Sequence, residues 1–225
     1  MHGCDYQFIG DEIFDLAPDW YRAKAKGCLP IITDLGRLVL AKKFLQKDYD
    51  RVIWLDADVL VFNPRRLVPL WDCSYAFGRE TWVQKDRRGK LKAYLNVHNA
   101  FCLFERGNPF LDFYIHAATS IIERHQGGLV PQIVGPKFLG AQYNLLGFPL
   151  IEEVGMISPL TLYDLAAGGG PALELMTKVS KTPLCAANLS SSMDQRESDG
   201  ITVSEGMFMA ASERLLSTKG EILSA

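Results

Sequence analysis

The stretch RVIWLDADVLVF, residues 51–62, is the most strand-like segment of the chain. Its apolar residues run without alternation and β-branched types are frequent, which is typical of a strand covered on both faces. Asn63-Pro64 then ends the pattern, because proline cannot continue a hydrogen-bonded ladder. The segment therefore predicts one continuous strand in the centre of an α/β sheet.

Two carboxylates, Asp56 and Asp58, lie within this predicted strand. In an extended chain, residues i and i+2 project to the same face, so we expect both side chains to converge on one cation. Such oxygen ligands hold Mg²⁺ or Mn²⁺, with substrate phosphates completing the shell. Two charges with apolar neighbours on both sides are costly unless a partner compensates them. We predict a metal or ligand site here, with a structural salt bridge as the alternative.

A second D-x-D triplet, Asp48-Tyr49-Asp50, lies in a polar connector between a predicted helix and the strand. Carboxylates in such connectors are usually solvated turn residues. We therefore give this triplet no functional role.

The rest of the chain alternates strand and helix patterns, which predicts the α/β class in one layered domain. Helices are expected from Thr33 or Asp34, as the cap, to about residue 47, and over 109–124, 136–146 and 204–218. Strands are expected at residues 6–9, as two or three within 73–104 around a charged loop at 84–92, and near 150–157.

Composition excludes several function classes. The 225 residues carry a net charge of −2, which does not favour nucleic-acid binding. No apolar run reaches the roughly 20 residues of a membrane span, and the first residues lack the pattern of a signal peptide. Five cysteines, an odd number without a CxxC pair, argue against a disulfide framework and favour a reducing compartment. We expect a cytoplasmic protein.

Several motifs in order along the chain carry a resemblance to a known family. The segment TDLGRL at 33–38 is followed by VIWLDAD at 52–58, by HNAFCLF at 98–104 with GNPF at 107–110, and by VGP at 134–136. This order resembles the GT-A glycosyltransferases of the DXD sugar-binding group, which includes the initiating α-1,6-mannosyltransferases and the large clostridial glucosylating toxins. The resemblance covers roughly residues 5–160.

The resemblance implies a GT-A-like, Rossmann-like mixed sheet flanked by helices, in a single domain over residues 1–225. Its core would span about 5–160, and the extension 161–225 would complete the site. It implies a metal-dependent transferase that moves a sugar from a UDP- or GDP-sugar donor to a glycan or protein acceptor. Asp56 and Asp58 would be catalytic by holding Mn²⁺ or Mg²⁺ against the diphosphate, with Asn188 as a third ligand. A metal stabilises the charge that the leaving diphosphate gains more strongly in the transition state than in the ground state.

The donor sugar would be held by a second set of residues. Asp34 and Arg37 lie one helical turn apart and hence on one face, where they match the group's D-x-x-R pair. Asn99 stands at an expected strand end, and Gly135-Pro136 matches the group's turn. For Asp34 and Arg37 the alternative is a helix cap with a surface charge, and for Asn99 it is a turn residue.

Two other functions stay open at this level. A haloacid-dehalogenase-like phosphatase would also place Asp56 and Asp58 after an apolar strand, although its later acidic motif has no good match. A non-catalytic GT-A remnant would bind a sugar or a partner. The chain resembles the group only from its second strand, at 5–9, so we expect the first β-α unit to be missing. Weak nucleotide binding, or self-association into a homo-oligomer that covers the gap, would follow.

Overall fold

The computed structural model describes residues 4–47, 49–67 and 72–224. The α-helices are α1 (Asp19–Ala25), α2 (Leu29–Gln46), α3 (Pro109–Arg124), α4 (Pro136–Leu146), α5 (Pro159–Ala167), α6 (Pro171–Val179) and α7 (Glu205–Ser217). The strands are β1 (Arg51–Leu55), β2 (Val59–Val61), β3 (Tyr75–Lys85), β4 (Leu91–Glu105), β5 (Leu150–Ile151), β6 (Val154–Met156), β7 (Ala186–Asn188), β8 (Glu197–Ser198) and β9 (Ile201–Thr202). Short 3₁₀ helices cover Asp11–Leu16, Ser191–Met193 and Glu221–Leu223.

The strands form three sheets, which confirms the α/β class. The four-stranded sheet has the order β1-β4-β3-β5, and the three-stranded sheet has the order β2-β7-β6. The latter is mixed, because β7 runs antiparallel to β2 and parallel to β6. Strands β8 and β9 form a separate antiparallel pair.

The chain folds into two compact units. The first contains the described residues of 1–54, 70–77 and 97–149, and the second those of 55–69, 78–96 and 150–225. The core of the first unit is aromatic: the rings of Tyr75 and Phe110 stack with their centroids 4.4 Å apart, and Phe77 meets Phe104 edge-to-face at 5.7 Å. Aromatic pairs of this geometry add to the free energy gained by burial alone.

The core of the second unit is aliphatic. It gathers Phe62, which follows β2, and buried residues of β3, α5, α6, β7 and α7, among them Val83, Leu165, Met176 and Leu215. Strand β7 lies in the middle of the three-stranded sheet, so its carboxyl end, Asn188, is held in a buried position.

The prediction of one central strand over 51–62 is wrong. Residues 51–55 form β1 at an edge of the four-stranded sheet, and all five side chains are partly exposed. Residues 59–61 form β2 in the three-stranded sheet, where Val59 pairs with Asn188. The break between them falls on the two aspartates, a residue type that is common in turns, and the pairing with the distant Asn188 draws the second half into its own sheet.

Two other predicted boundaries are corrected. Residues 4–10 form no regular structure, and Tyr6 and Phe8 are 88% and 71% exposed, so the expected strand at 6–9 gains no apolar burial there. Helix α2 begins at Leu29 instead of after Thr33, because Pro30 is suited to the first helical turn. Asp34 is therefore an interior helical residue instead of a cap.

Local sequence signals predicted several other elements close to their observed positions. Helix α3 begins at Pro109 with the Asn108 side chain accepting from the amide of Leu111 at 2.9 Å, as expected of the cap. Helices α4 and α7 and the charged β3–β4 connection also lie close to their predicted positions. The sequence patterns did not indicate α1, α5 and α6. In the described part of the chain, no helix is long and apolar enough to cross a membrane.

Candidate functional site

Asp56 and Asp58 lie in a tight turn between β1 and β2. The amide of Val59 donates to the carbonyl of Asp56 at 3.0 Å, which closes a four-residue turn with Asp56 first and Asp58 third. Both side chains are partly exposed instead of buried. The expectation that an extended backbone aims them at the same face therefore fails, because residues 57 and 58 are in the turn.

The Asp58 carboxylate is held by residues that lie far away in the sequence. Asn188 Nδ2 donates to Asp58 Oδ1 at 2.5 Å. The backbone amide and the hydroxyl of Ser191 both donate to Oδ2, at 3.0 and 2.9 Å. The amide of Leu189 donates to the Asp58 carbonyl at 3.0 Å. The side chain and backbone of Asp58 are thus held by the last residue of β7 and by the segment that follows it.

Ser190 gives this segment its shape. Its backbone is left-handed, with φ 58° and ψ 50°, a conformation that is uncommon for residues other than glycine. Its amide donates to Asn188 Oδ1 at 2.7 Å, and its hydroxyl donates to the carbonyl of Ile157 at 3.1 Å. These two bonds hold the strained conformation that turns Ser191 toward Asp58, and strain of this kind concentrates at functional sites.

The predicted sugar-binding residues Asp34, Arg37 and Asn99 come together in the first unit. Arg37 and Asp34 form an ion pair of 3.1 Å across one helical turn. Asn99 Nδ2 donates to Asp34 Oδ1 at 2.7 Å, and its carbonyl accepts from Arg37 Nη1 at 2.6 Å. All three residues are at most 7% exposed. Asn99 lies in the interior of β4, so its expected position at a strand end is corrected.

Gly135 and Pro136 lie directly beside this cluster. Gly135 is the N-cap of α4 and Pro136 its first residue. A Cβ on Gly135 would stand 2.6 Å from Asp34 Oδ2 and 3.0 Å from Asn99 Nδ2, so only glycine fits without displacing them. The hydroxyl of Tyr114 donates to the carbonyl of Val134 at 2.8 Å and fixes the approach of this turn.

Two tyrosines near Asp34 have a raised phenol pKa. Burial, and then the Asp34 carboxylate, raises the pKa of both Tyr21 and Tyr114. The Arg37 guanidinium stands 5.6 Å from the centre of the Trp54 ring, within cation–π distance. One carboxylate and one guanidinium are therefore the charged groups of the cluster, and they compensate each other.

The residues around Asp58 fit a hard divalent cation in donor chemistry. Carboxylate, amide and hydroxyl oxygens are the ligands that Mg²⁺ and Mn²⁺ prefer. Across residues 4–47, 49–67 and 72–224, no three His, Cys, Asp or Glu side chains gather into a metal-binding group. A cation at Asp56 and Asp58 would therefore need oxygens from other sources, such as the Asn188 amide, a serine or a substrate phosphate. In the present conformation Asn188 presents its nitrogen to Asp58, and its role as a ligand stays a prediction.

Comparison with known proteins adds no relative. No known protein family, curated protein or solved structure matches the chain. The site is therefore interpreted from its own geometry.

The sequence marks Asn188 and the serines at 190–192 as a polar cluster, but a run of serines usually forms a loop, so only Asn188 is predicted as a ligand. In the structure, Ser191 supplies two of the donors that hold Asp58. Tyr114 was also missed, because a tyrosine on an amphipathic helix is most often a core residue. His98, beside Asn99, is fully buried. Asp48 of the second D-x-D lies outside the described residues.

Proposed function

We propose that this chain is a metal-dependent glycosyltransferase of the GT-A type, acting on a UDP- or GDP-sugar donor and a glycan or protein acceptor. The observation that carries the proposal is that Asp58 accepts hydrogen bonds from Asn188 and Ser191, which lie 130 and 133 residues further along the chain. The family resemblance implies a ligand from the C-terminal segment beside the acidic pair, and the contact between Asp58 and Asn188 supports that expectation. The proposal includes a cytoplasmic location.

In this proposal Asp56 and Asp58 hold a divalent cation, Mn²⁺ or Mg²⁺. Such a cation, when bound, supplies the positive charge that stabilises a departing nucleoside diphosphate. Ser191 and Asn188 hold the Asp58 carboxylate in one rotamer, so no reorganisation of that side chain is needed when the donor binds. Preorganisation of this kind is a major source of catalytic power.

The assignment of Asp34, Arg37, Asn99 and the Gly135-Pro136 turn to the donor sugar rests on the resemblance. Their chemistry suits it, because a carboxylate and an amide accept and donate hydrogen bonds to sugar hydroxyls and a guanidinium binds phosphate. Their mutual bonds and low exposure equally suit a structural role. The two roles are separated by the binding experiment in the Discussion.

The phosphatase alternative has less support. It needs a further acidic side chain near the aspartate pair, whereas the partners of Asp58 in the described residues are an amide and a serine. The remnant alternative predicts no metal-dependent nucleotide binding at all.

Thermal unfolding with a library of nucleotide sugars tests the proposal. A donor that binds the folded state raises the unfolding temperature by mass action. We expect one UDP- or GDP-sugar to raise it in Mn²⁺ and not in chelator. The proposal would be contradicted if no nucleotide sugar raised the unfolding temperature in either condition. It would also be contradicted if the protein hydrolysed a phosphomonoester in Mg²⁺ without binding nucleotides.

A further inference from the structure

The β3–β4 hairpin of the second unit ends in a dense cluster of positive charge, which we call the basic tip. It comprises Lys85, Arg87, Arg88, Lys90 and Lys92, which are all exposed. These are five of the 24 lysines and arginines of a chain whose net charge is −2. Among the described residues, none of the five forms an ion pair. Unpaired cations at this density repel one another, so their positive charge is available to a partner.

Hydrogen bonds define the backbone of the turn, and the carboxylate of the turn is engaged within it. Asp86 Oδ1 accepts from the amides of Arg88 and Lys90 at 2.7 and 3.0 Å. The amide of Asp86 donates to the Lys90 carbonyl at 2.8 Å, which closes the hairpin. The backbone of the tip is therefore a defined turn, and the side chains of Arg87, Arg88 and Lys90 are exposed.

The base of the hairpin is anchored in two ways. Val83 is fully buried in the core of the second unit, with Leu91 packed against it. Lys85 Nζ donates to the carbonyl of Asp199 at 2.9 Å, and Asp199 Oδ1 accepts from the Lys85 amide at 3.2 Å. Within the described part of the chain, Asp86 and Asp199 are the carboxylates that accept hydrogen bonds from residues 85–92, so five cations outweigh two anions.

The outward face of the same hairpin carries aromatic rings. Side chains alternate along a strand, so Trp82 lies on the face opposite Val83, and Lys92 and Tyr94 lie opposite Leu91. Lys92 Nζ stands 4.9 Å from the centre of the Tyr94 ring. Trp82 and Tyr94 are partly exposed. Aromatic side chains with a polar edge are favoured at the boundary between a membrane and water.

We propose that the basic tip docks this protein on an anionic lipid surface. Three of the five cations, Arg87, Arg88 and Lys90, lie within the turn, and Lys85 and Lys92 flank it, so this end of the hairpin is complementary to a surface of negative charge. A nucleic-acid strand is instead followed along a groove lined by cations and stacking rings. Docking of this kind needs no membrane-spanning helix, because basic segments bind anionic headgroups from the water phase.

Vesicle sedimentation tests the proposal with the whole chain. The probes are vesicles of phosphatidylcholine alone and vesicles that also contain phosphatidylserine. The test variant is Arg87→Gln/Arg88→Gln/Lys90→Gln. The control variant, Lys43→Gln/Lys137→Gln/Lys178→Gln, removes the same charge from three scattered exposed positions. Circular dichroism verifies that both variants are folded.

We expect the wild-type protein to bind only the vesicles with phosphatidylserine, and less at higher salt. Each basic residue near such a surface contributes about fivefold in affinity, so the hairpin variant should bind roughly a hundredfold more weakly. The control variant should bind nearly as well as the wild type. Equal losses in the two variants, or no binding by the wild type, would overturn the proposal. Tighter binding of a single-stranded oligonucleotide than of vesicles, lost in the hairpin variant, would overturn it in favour of a nucleic-acid partner.

Discussion

Replacing Asp34 by alanine should destabilise the protein strongly, because the carboxylate compensates a buried guanidinium. The side chains of Asp34 and Arg37 are each 6% exposed and 3.1 Å apart. Asp34 also accepts from Asn99 at 2.7 Å. Removing one partner of a buried ion pair costs about 3–5 kcal/mol, since the other charge stays in a poorly solvated position. That is a large fraction of the roughly 5–15 kcal/mol by which domains are stable.

The assay is urea unfolding followed by tryptophan fluorescence, and the chain supplies a matched control. Asp19 and Arg22 form an ion pair with the same three-residue spacing at 2.5 Å, but Asp19 is 94% exposed. Exposed pairs contribute little, so Asp19→Ala should leave the unfolding midpoint nearly unchanged. Asp34→Asn, which keeps an oxygen for Asn99, should fall between the two. If Asp34→Ala changed the unfolding midpoint as little as Asp19→Ala does, the idea that burial makes the Asp34–Arg37 pair important for stability would be refuted.

Three further predictions concern the cluster around Asp34 and strand β3. Gly135→Ala places a methyl group 2.6 Å from Asp34 and 3.0 Å from Asn99, so it should lower the free energy of unfolding by about 1–3 kcal/mol, measured by urea denaturation. Burial raises the pKa of Glu80, so protonation stabilises the folded state at low pH and this stabilisation is lost as pH rises through the folded-state pKa. Glu80→Gln should therefore be more stable than the wild type at neutral pH, and the difference should vanish below about pH 4 in thermal melts. If Asp34 binds the sugar, Asp34→Asn should weaken calorimetric binding of the intact donor while barely affecting the free nucleoside diphosphate; equal losses would assign it a structural role.

The parts of the fold that were predictable are those governed by neighbours in the sequence. Asn108-Pro109 and Gly135-Pro136 mark helix starts through local hydrogen bonding and the fixed φ of proline, and both helices begin there. The division of 51–62 into two strands was not predictable from that segment. It depends on the pairing of Val59 with Asn188, which is a contact across most of the chain.

The candidate site shows the same limit. Asp34 and Arg37 could be placed on one helix face from their spacing, and they do pair. Their burial against Asn99 depends on how β4 packs on α2, which spacing does not encode. Ser191 reaches Asp58 only because Ser190 adopts a left-handed backbone, and no pattern in a serine run predicts that conformation.

The most direct test of the proposed function is calorimetric titration of UDP and GDP with and without Mn²⁺. The variants are Asp58→Asn and Asp56→Asn, and the control is Asp50→Asn, an exposed carboxylate of the second D-x-D. The Asp58→Asn side chain has a nitrogen in place of one oxygen, and this nitrogen is a donor that faces the donors of Asn188 or Ser191. Because an unmade hydrogen bond costs stability, thermal unfolding verifies that this variant is folded.

We expect the wild type and Asp50→Asn to bind one of the two nucleotides only when Mn²⁺ is present. Both site variants should remain folded and lose this metal-dependent binding, because each removes a negative charge from the cation's ligands. Nucleotide binding by a folded Asp58→Asn and a folded Asp56→Asn with unchanged dependence on Mn²⁺ would contradict the metal site. Absence of any Mn²⁺-dependent binding in the wild type would contradict the proposed function itself.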